Sequence, residues 1–254
     1  MATSMPAEHL APSELGTKEY WDRTYALELT NHATNPSDEG TIWFSDADAE
    51  DKVLSYLERL DDQGILDKRE TSFLDLGTGN GHMLFALRDA GWEGPMVGLD
   101  YSGASVRLAR RVQEGRVGLL GGDGEEESGG GAVQFEEWDI LNSEAGEWLG
   151  DGFDVVLDKG TFDAISLSGE VGAEGRRICE GYRERAEKLV KRGGRLLVTS
   201  CNWTEAELRW WFHVSGGGLV FEDSIRYPSF RFGGVEGTKV ASVCFRKRDD
   251  EHGP

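Results

Sequence analysis

The apolar positions of this chain change period near residue 71. Before that point the spacing is helical. In "TKEYWDRTYALEL" (residues 17–29) Tyr20 and Leu27, with Trp21 and Tyr25 beside them, gather on one side of a helix. "SDADAEDKVLSYLERL" (45–60) has Val53, Leu54, Leu57 and Leu60 as its apolar stripe and Ser45 or Asp46 as its cap. Acidic residues fill its first turn, where they meet the positive end of the helix dipole. Between these helices "DEGTIWFS" leaves Trp43 and Phe44 in a loop. Residues 1–16 have no period and are expected to form a flexible leader to a helical lid spanning 17–70.

From residue 71 short apolar runs alternate with helical segments. Strands are expected at "TSFLDL", "PMVGLD", "AVQFEEWDI", "FDVVLDKG" and "RLLVTS". Helices are expected at "GHMLFALRDAG", "SGASVRLARRV", "CEGYRERAEKLVKRGG" and "TEAELRWWF". The third of these helices ends in Lys, Arg and two glycines, which suits the negative end of the dipole and a glycine C-cap. Thr204 caps the fourth. Strand–helix alternation predicts an α/β fold over 71–248, Rossmann-like, with a mostly parallel sheet and helices on both faces. The last two runs, "LVFEDSIRY" and "KVASVCFRK", have no helix between them. They must pair as an antiparallel hairpin at one edge, which brings the sheet to seven strands. "GGDGEEESGGG" (121–131) has 6 glycines and 4 acidic residues, so it cannot bury a core and is expected as a disordered insert. Residues 249–254 form a tail.

Composition narrows the partners. At 254 residues the chain can enclose one sizeable core. It has no run of about 18 apolar residues, so no membrane span is expected, and its start does not read as a secretory signal. Cys179, Cys201 and Cys244 are far apart and form no CxxC pair; they are expected to be reduced thiols of the cytoplasm or nucleus. The histidines lack ligand spacing, and no metal is expected. Net charge is −20, concentrated in residues 1–70 (16 acidic, 6 basic) and 121–154 (11 acidic, none basic). Such a chain is repelled by a phosphate backbone and attracts a basic partner. Nucleic acid is therefore not expected as its substrate.

The chemistry centres on "FLDLGTGNGH" (73–82), a strand that runs into Asp75-x-Gly77-x-Gly79-x-Gly81 and a helix start. So many glycines mean that backbone approaches a ligand closely, and in open parallel sheets ligands bind beyond the carboxyl ends of the strands. A dinucleotide turn needs G-x-G-x-x-G, but position 82 is His. A P-loop needs Lys-Ser/Thr after its last glycine, which is absent. The spacing resembles motif I of the seven-strand methyltransferases that use S-adenosylmethionine. That resemblance implies that the glycine turn holds the cofactor's amino-acid end. It also implies that Asp100, followed by Tyr101, accepts the ribose hydroxyls, and that Asp139 and Ile140 receive the adenine.

"LGTKEYWDRTYALEL", "DEGTIWFSD", "FLDLGTGNGHMLFAL", "VVLDKGTFDAISLS" and "LLVTSCNWTEAEL" extend the likeness from about Leu15 to Lys247, omitting 121–131. Together they resemble the single-domain eukaryotic lysine methyltransferases of elongation factor 1-alpha. The resemblance implies a protein-lysine N-methyltransferase, a basic protein substrate and a monomer. A free lysine has a pKa near 10.4, and neutralising it at pH ~7.4 costs about 4 kcal/mol, so a carboxylate beside the amine is expected. Asp158, at the end of the fourth strand, is the first candidate and Asp163 the second; Lys159 is left unassigned. Trp43 is expected to close over the cofactor, with Tyr20, Trp21, Phe44, Phe162 and Trp203 shaping the lysine channel. No Asn/Asp-Pro-Pro-Tyr/Phe follows the fourth strand, as base methylation would need. A methyltransferase of another protein or of a small molecule, a cofactor-binding scaffold and an oxidoreductase remain as alternative readings.

Overall fold

Helix α1 (Lys18–Thr34) starts where Thr17 accepts the Tyr20 N–H at 3.3 Å and donates its own hydroxyl to Glu14 at 2.7 Å. The computed structural model describes residues 9–120, 131–172, 175–214, 217–232 and 235–249 of the chain. Most of the acidic insert, the first eight residues and the last five therefore lie outside the described residues. Tyr25 is buried as expected, and His32 with it, whereas Leu27, expected on the same inner face of α1, is exposed. Helix α2 begins later than expected, at Ala49, and runs to Asp62. Ser45 and Asp46 belong to a separate 3₁₀ turn, and Asp46 pairs with Lys239 at 2.9 Å instead of capping.

The core alternates β1 (Phe73–Leu76), α3 (His82–Asp89), β2 (Met96–Asp100), α4 (Gly103–Leu120), β3 (Gln134–Glu137) and β4 (Phe153–Lys159). It continues through α5 (Thr161–Ser166), α6 (Tyr182–Leu189), β5 (Val190–Ser200), α7 (Glu205–Phe212), β6 (Leu219–Ile225) and β9 (Ala241–Lys247), with the two-stranded ribbon β7 (Ser229–Phe232) and β8 (Val235–Thr238) before β9. The seven-stranded sheet has the order β3-β2-β1-β4-β5-β9-β6. Pairs among the first five strands are parallel, and β9 is antiparallel to both neighbours. The expected antiparallel pairing of the last two long runs is therefore present.

β1 and β2 are buried at every position, because helices cover both faces. One face packs under α2, α3 and α4 through Val53, Leu57, Leu84 and Leu108. The other packs under α6 and α7 through Tyr182, Leu208 and Phe212. Thr204 and Glu207 form the capping box expected for α7.

The glycine C-cap expected after Arg192 is not formed. Helix α6 ends at Leu189, and Lys191 to Gly194 belong to β5, in a register shift opposite Phe153 and Val155. Lys191 finds Asp154 at 3.0 Å across the sheet, a partner that a local capping pattern does not reveal. The third strand is also shorter than expected, so Asp139 and Ile140 lie in the turn beyond it.

Candidate active site

The strand order reverses between β1 and β4, and a cavity of about 320 Å3 opens there, beyond the strand ends. The turn after β1 reaches it through three left-handed glycines: Gly77 (φ 63°), Gly79 (φ 59°) and Gly81 (φ 81°). Gly79 is clamped from both sides. Its N–H donates to Asp100 Oδ2 at 3.1 Å, and its carbonyl accepts from Ser105 Oγ at 2.7 Å. A Cβ at Gly79 would stand 2.6 Å from the Tyr25 hydroxyl, and one at Gly81 would stand 2.8 Å from the Phe135 ring. Gly77 and Gly79 therefore line the cavity as bare backbone, whereas Gly81 lets α3 pack on the sheet.

Asp100 lines the cavity at the end of β2, nearly inaccessible, and also accepts the Ser102 N–H at 2.9 Å through Oδ1. Each carboxylate oxygen thus keeps acceptor capacity for a ligand. Tyr101, Trp138, Ile140 and Leu141 continue the wall beyond β2 and β3. Asp139 lines it too, though its Oδ1 already accepts the Leu141 and Asn142 N–H groups at 2.8 and 3.2 Å and its Oδ2 accepts the Asn142 side-chain amide at 2.9 Å. Opposite stand Trp21, Tyr25, Trp43 and Phe44, with Trp21 edge-on to Trp43 at 5.3 Å. Asn80 fastens this side by donating to Glu39 O at 2.8 Å.

Residues 9–16, expected as a flexible leader, run across the site. Ser13 N–H donates to Leu167 O at 3.1 Å, Trp21 Nε1 donates to Leu15 O at 2.7 Å, and the Arg177 guanidinium donates to Leu10 O at 3.3 Å. A Cβ at Gly16 would overlap the Leu167 carbonyl. Leu15 and Gly16 form part of the cavity wall. Periodicity gives no signal for a segment held by contacts this distant in sequence.

The carboxylates divide by their partners. Asp158, the first catalytic candidate, does not reach the cavity. Its Oδ1 accepts Thr161 N–H at 2.9 Å, and its Oδ2 accepts Phe162 N–H at 3.1 Å and the Tyr182 hydroxyl at 2.6 Å. It is the carboxyl group that accepts the first N–H groups of α5, a helix too short to show in the sequence pattern. Burial pushes its carboxyl up to about 7 against those donors. Asp163, the second candidate, does line the cavity. It accepts the Ser200 hydroxyl and, at 2.8 Å, the Cys201 N–H, and burial raises its carboxyl. Burial also raises Asp100, and lifts Asp75 to about 7 although the Lys159 ammonium opposes it.

Asp75 lies behind the glycine turn and is not a cavity wall. Three expected channel residues are also displaced. Phe162 stacks on Tyr182 at 5.4 Å in the core. Trp203 is buried with its Nε1 donating to Ser166 Oγ at 3.3 Å. Tyr20 braces Trp21 edge-on at 5.2 Å from outside the cavity. Aromatics after strand ends are core more often than channel, and loop position alone did not separate the two.

Comparison with known proteins follows the same lines. The family model described as "Methyltransferase domain" matches residues 67–217. The Saccharomyces cerevisiae protein named protein-lysine N-methyltransferase EFM4 is 42% identical over 94% of this chain and 97% of its own length. The human protein named EEF1A lysine methyltransferase 2 is 33% identical over 93% of this chain and 88% of its own. The chain belongs to this methyltransferase family. A methyltransferase of known structure supports the fold alone: magnesium protoporphyrin IX methyltransferase from Synechocystis PCC 6803, with bound S-adenosylmethionine, superposes at a TM-score of 0.53 and 15% identity. That match covers 88% of this chain and 97% of the other.

The cavity's chemistry fits S-adenosylmethionine, the ligand of that neighbour. Gly77 and Gly79 present bare backbone to the cavity for an amino-acid end, and a Cβ at either would strike Thr161 or Tyr25. Asp100 keeps lone pairs for a diol, and Trp138, Ile140 and Leu141 offer an apolar slot for a purine. Among the described residues no cluster of His, Cys, Asp or Glu could hold a metal ion. No helix among them is long and apolar enough to cross a membrane.

Proposed function

We propose that this chain methylates a lysine side chain of elongation factor 1-alpha, the substrate for which its animal relatives are named. The observation that carries the reading is the position of Asp163: a buried carboxylate in α5, just after β4, that lines the same cavity as the glycine turn. The cofactor, when bound, supplies an electrophilic methyl group on a sulfonium. The chain's own residues then have three tasks: holding both reactants in line, excluding water, and presenting the lysine as a neutral amine.

Trp43 and Phe44 form the apolar wall beside Gly160, where Phe44 would stand 3.2 Å from a Cβ. Such a wall disfavours the charged ammonium. Asp163 is braced by Ser200 and Cys201, so its remaining lone pairs have a fixed direction. It accepts an N–H of the incoming amine and aims the nitrogen lone pair at the methyl group. The proton lost on deprotonation passes by way of this carboxylate to solvent at the cavity mouth.

Net charge of −20 speeds encounter with a basic protein. We also propose that the enzyme works as a monomer in the cytoplasm, where its three free thiols stay reduced. Incubation of elongation factor 1-alpha with tritiated S-adenosylmethionine tests the substrate. Label on one lysine peptide, absent with Asp100→Ala, is expected. Cofactor binding without any transfer to this protein would redirect the activity to another substrate.

A further inference from the structure

Lys159 lines the cavity, and the mechanism above gives it no task. The register of β1 against β4 pairs Leu76 with Asp158, so Lys159 flanks Gly77 at the start of the turn that admits the cofactor's amino-acid end. Its side chain lines the cavity with only 16% of its surface exposed. An ammonium carries three N–H donors. Its protein contacts are loose: Trp43 O and Glu50 Oε1 each lie at 3.4 Å, outside the usual range of about 2.7–3.2 Å. Glu50 is committed elsewhere, with Oε2 on His82 Nδ1 at 2.6 Å, and its Oε1 is buried without a hydrogen bond. The only other cation among the described residues of the cavity wall is Lys18. It closes on Asp22 at 2.7 Å and lies over the Tyr101 ring at 5.4 Å, on the Asp100 side.

We propose that Lys159 is the cation that receives the α-carboxylate of the cofactor, and so selects ligands that carry a complete amino acid. The inference rests on the cofactor assignment and adds to it the residue that reads the ligand's carboxylate. Trp43 O and Glu50 hold the ammonium beneath the lid loop. A carboxylate entering beside Gly77 supplies the short, charge-assisted partner that neither contact provides. Asp75 lies buried behind the same turn and does not line the cavity, so Lys159 is the charged side chain that the ligand's amino-acid end meets there.

The test is calorimetric and needs no turnover. Three ligands are titrated into the full chain: S-adenosylhomocysteine, its decarboxylated counterpart, and methylthioadenosine, which lacks the whole amino-acid end. The wild-type protein is expected to prefer S-adenosylhomocysteine over the decarboxylated ligand by about 10- to 100-fold. In Lys159→Gln that preference should fall to about 3-fold or less, through weaker binding of S-adenosylhomocysteine alone. Lys159→Arg, which keeps the charge, should keep the preference. Unchanged methylthioadenosine binding in Lys159→Gln reports an intact site. Equal weakening of all three ligands would make Lys159 a structural post and overturn the proposal. So would a preference that survives in Lys159→Gln, or a wild-type protein with no preference at all.

Discussion

Adding one methyl group at Gly79 should be rescued by removing one oxygen from Tyr25. In the left-handed conformation of Gly79, φ 59°, an alanine costs about 1–2 kcal/mol from backbone sterics alone. Its Cβ would also stand 2.6 Å from the Tyr25 hydroxyl and 3.4 Å from the ring carbon that bears it. Neither side can yield. The turn is held by Asp100 on its N–H and Ser105 on its carbonyl, while the buried Tyr25 ring stacks on Trp21 at 6.0 Å. Overpacking of this kind costs about 1–3 kcal/mol, so Gly79→Ala should lose about 3–4 kcal/mol in total.

Tyr25→Phe deletes the atom that would be struck and leaves the ring carbons at ordinary contact distance. Alone it should cost less than about 1 kcal/mol. In the double variant only the backbone cost remains, so it should be more stable than Gly79→Ala by about 1–2 kcal/mol. Urea unfolding of the four proteins, with m-values compared, measures the cycle. Costs that add to within about 0.5 kcal/mol, or a double variant less stable than Gly79→Ala, would refute the claim that this turn and α1 are in contact across the site.

Asp100→Asn should weaken S-adenosylhomocysteine binding by about 100-fold or more, because charge-assisted bonds to a diol are worth about 1.5–3 kcal/mol each; calorimetry reads the loss, and a change under about 3-fold would remove Asp100 from the ribose. Asp163→Asn should leave cofactor affinity within about 3-fold and lower kcat by about 100-fold, at the lower end for proton-handling groups. Equal kcat in the two proteins would show that solvent handles the proton unaided. Asp75 and Asp158 are lifted by burial from the ordinary 3.8 to about 7, so between these values the folded chain holds protons that the unfolded chain has lost. Their contribution to stability therefore falls as pH rises through that window and levels off above it. Asp158→Asn removes one of the two contributions and should flatten the decline in urea midpoint between pH 5.5 and 8 by a measurable fraction; an identical slope would contradict the assignment.

The sheet was legible because buried parallel strands read as short apolar runs and their connecting helices carry a clear stripe. Asp100 and the glycine turn were legible for a different reason: a left-handed backbone against a ligand admits almost no other residue. What stayed hidden depends on contacts distant in sequence. Asp158 and Asp163 sit five residues apart beside one short helix, and nothing local says that the first is consumed by Thr161, Phe162 and Tyr182 while the second faces the cavity. Lys191 to Gly194 carry a good local signal for a helix end, and the partner across the sheet outweighs it. Residues 9–16 have no pattern of their own, and their place is set by Leu167 and Arg177.

That strap also fixes an order of events during synthesis. Leu10 is among the earliest described residues to leave the ribosome, and the guanidinium that holds its carbonyl belongs to a residue made 167 positions later. At about 5–20 residues per second, the front of the chain waits roughly 10 to 30 s for its anchor. Until Leu167 is made, the nascent chain contains β1, the glycine turn and β2, yet the wall formed by Leu15 and Gly16 lacks the carbonyl it packs on. Leu10, Leu15 and Gly16 are thus among the last residues to take their places, and a ribosome-bound chain shorter than Arg177 has a glycine turn but no finished pocket.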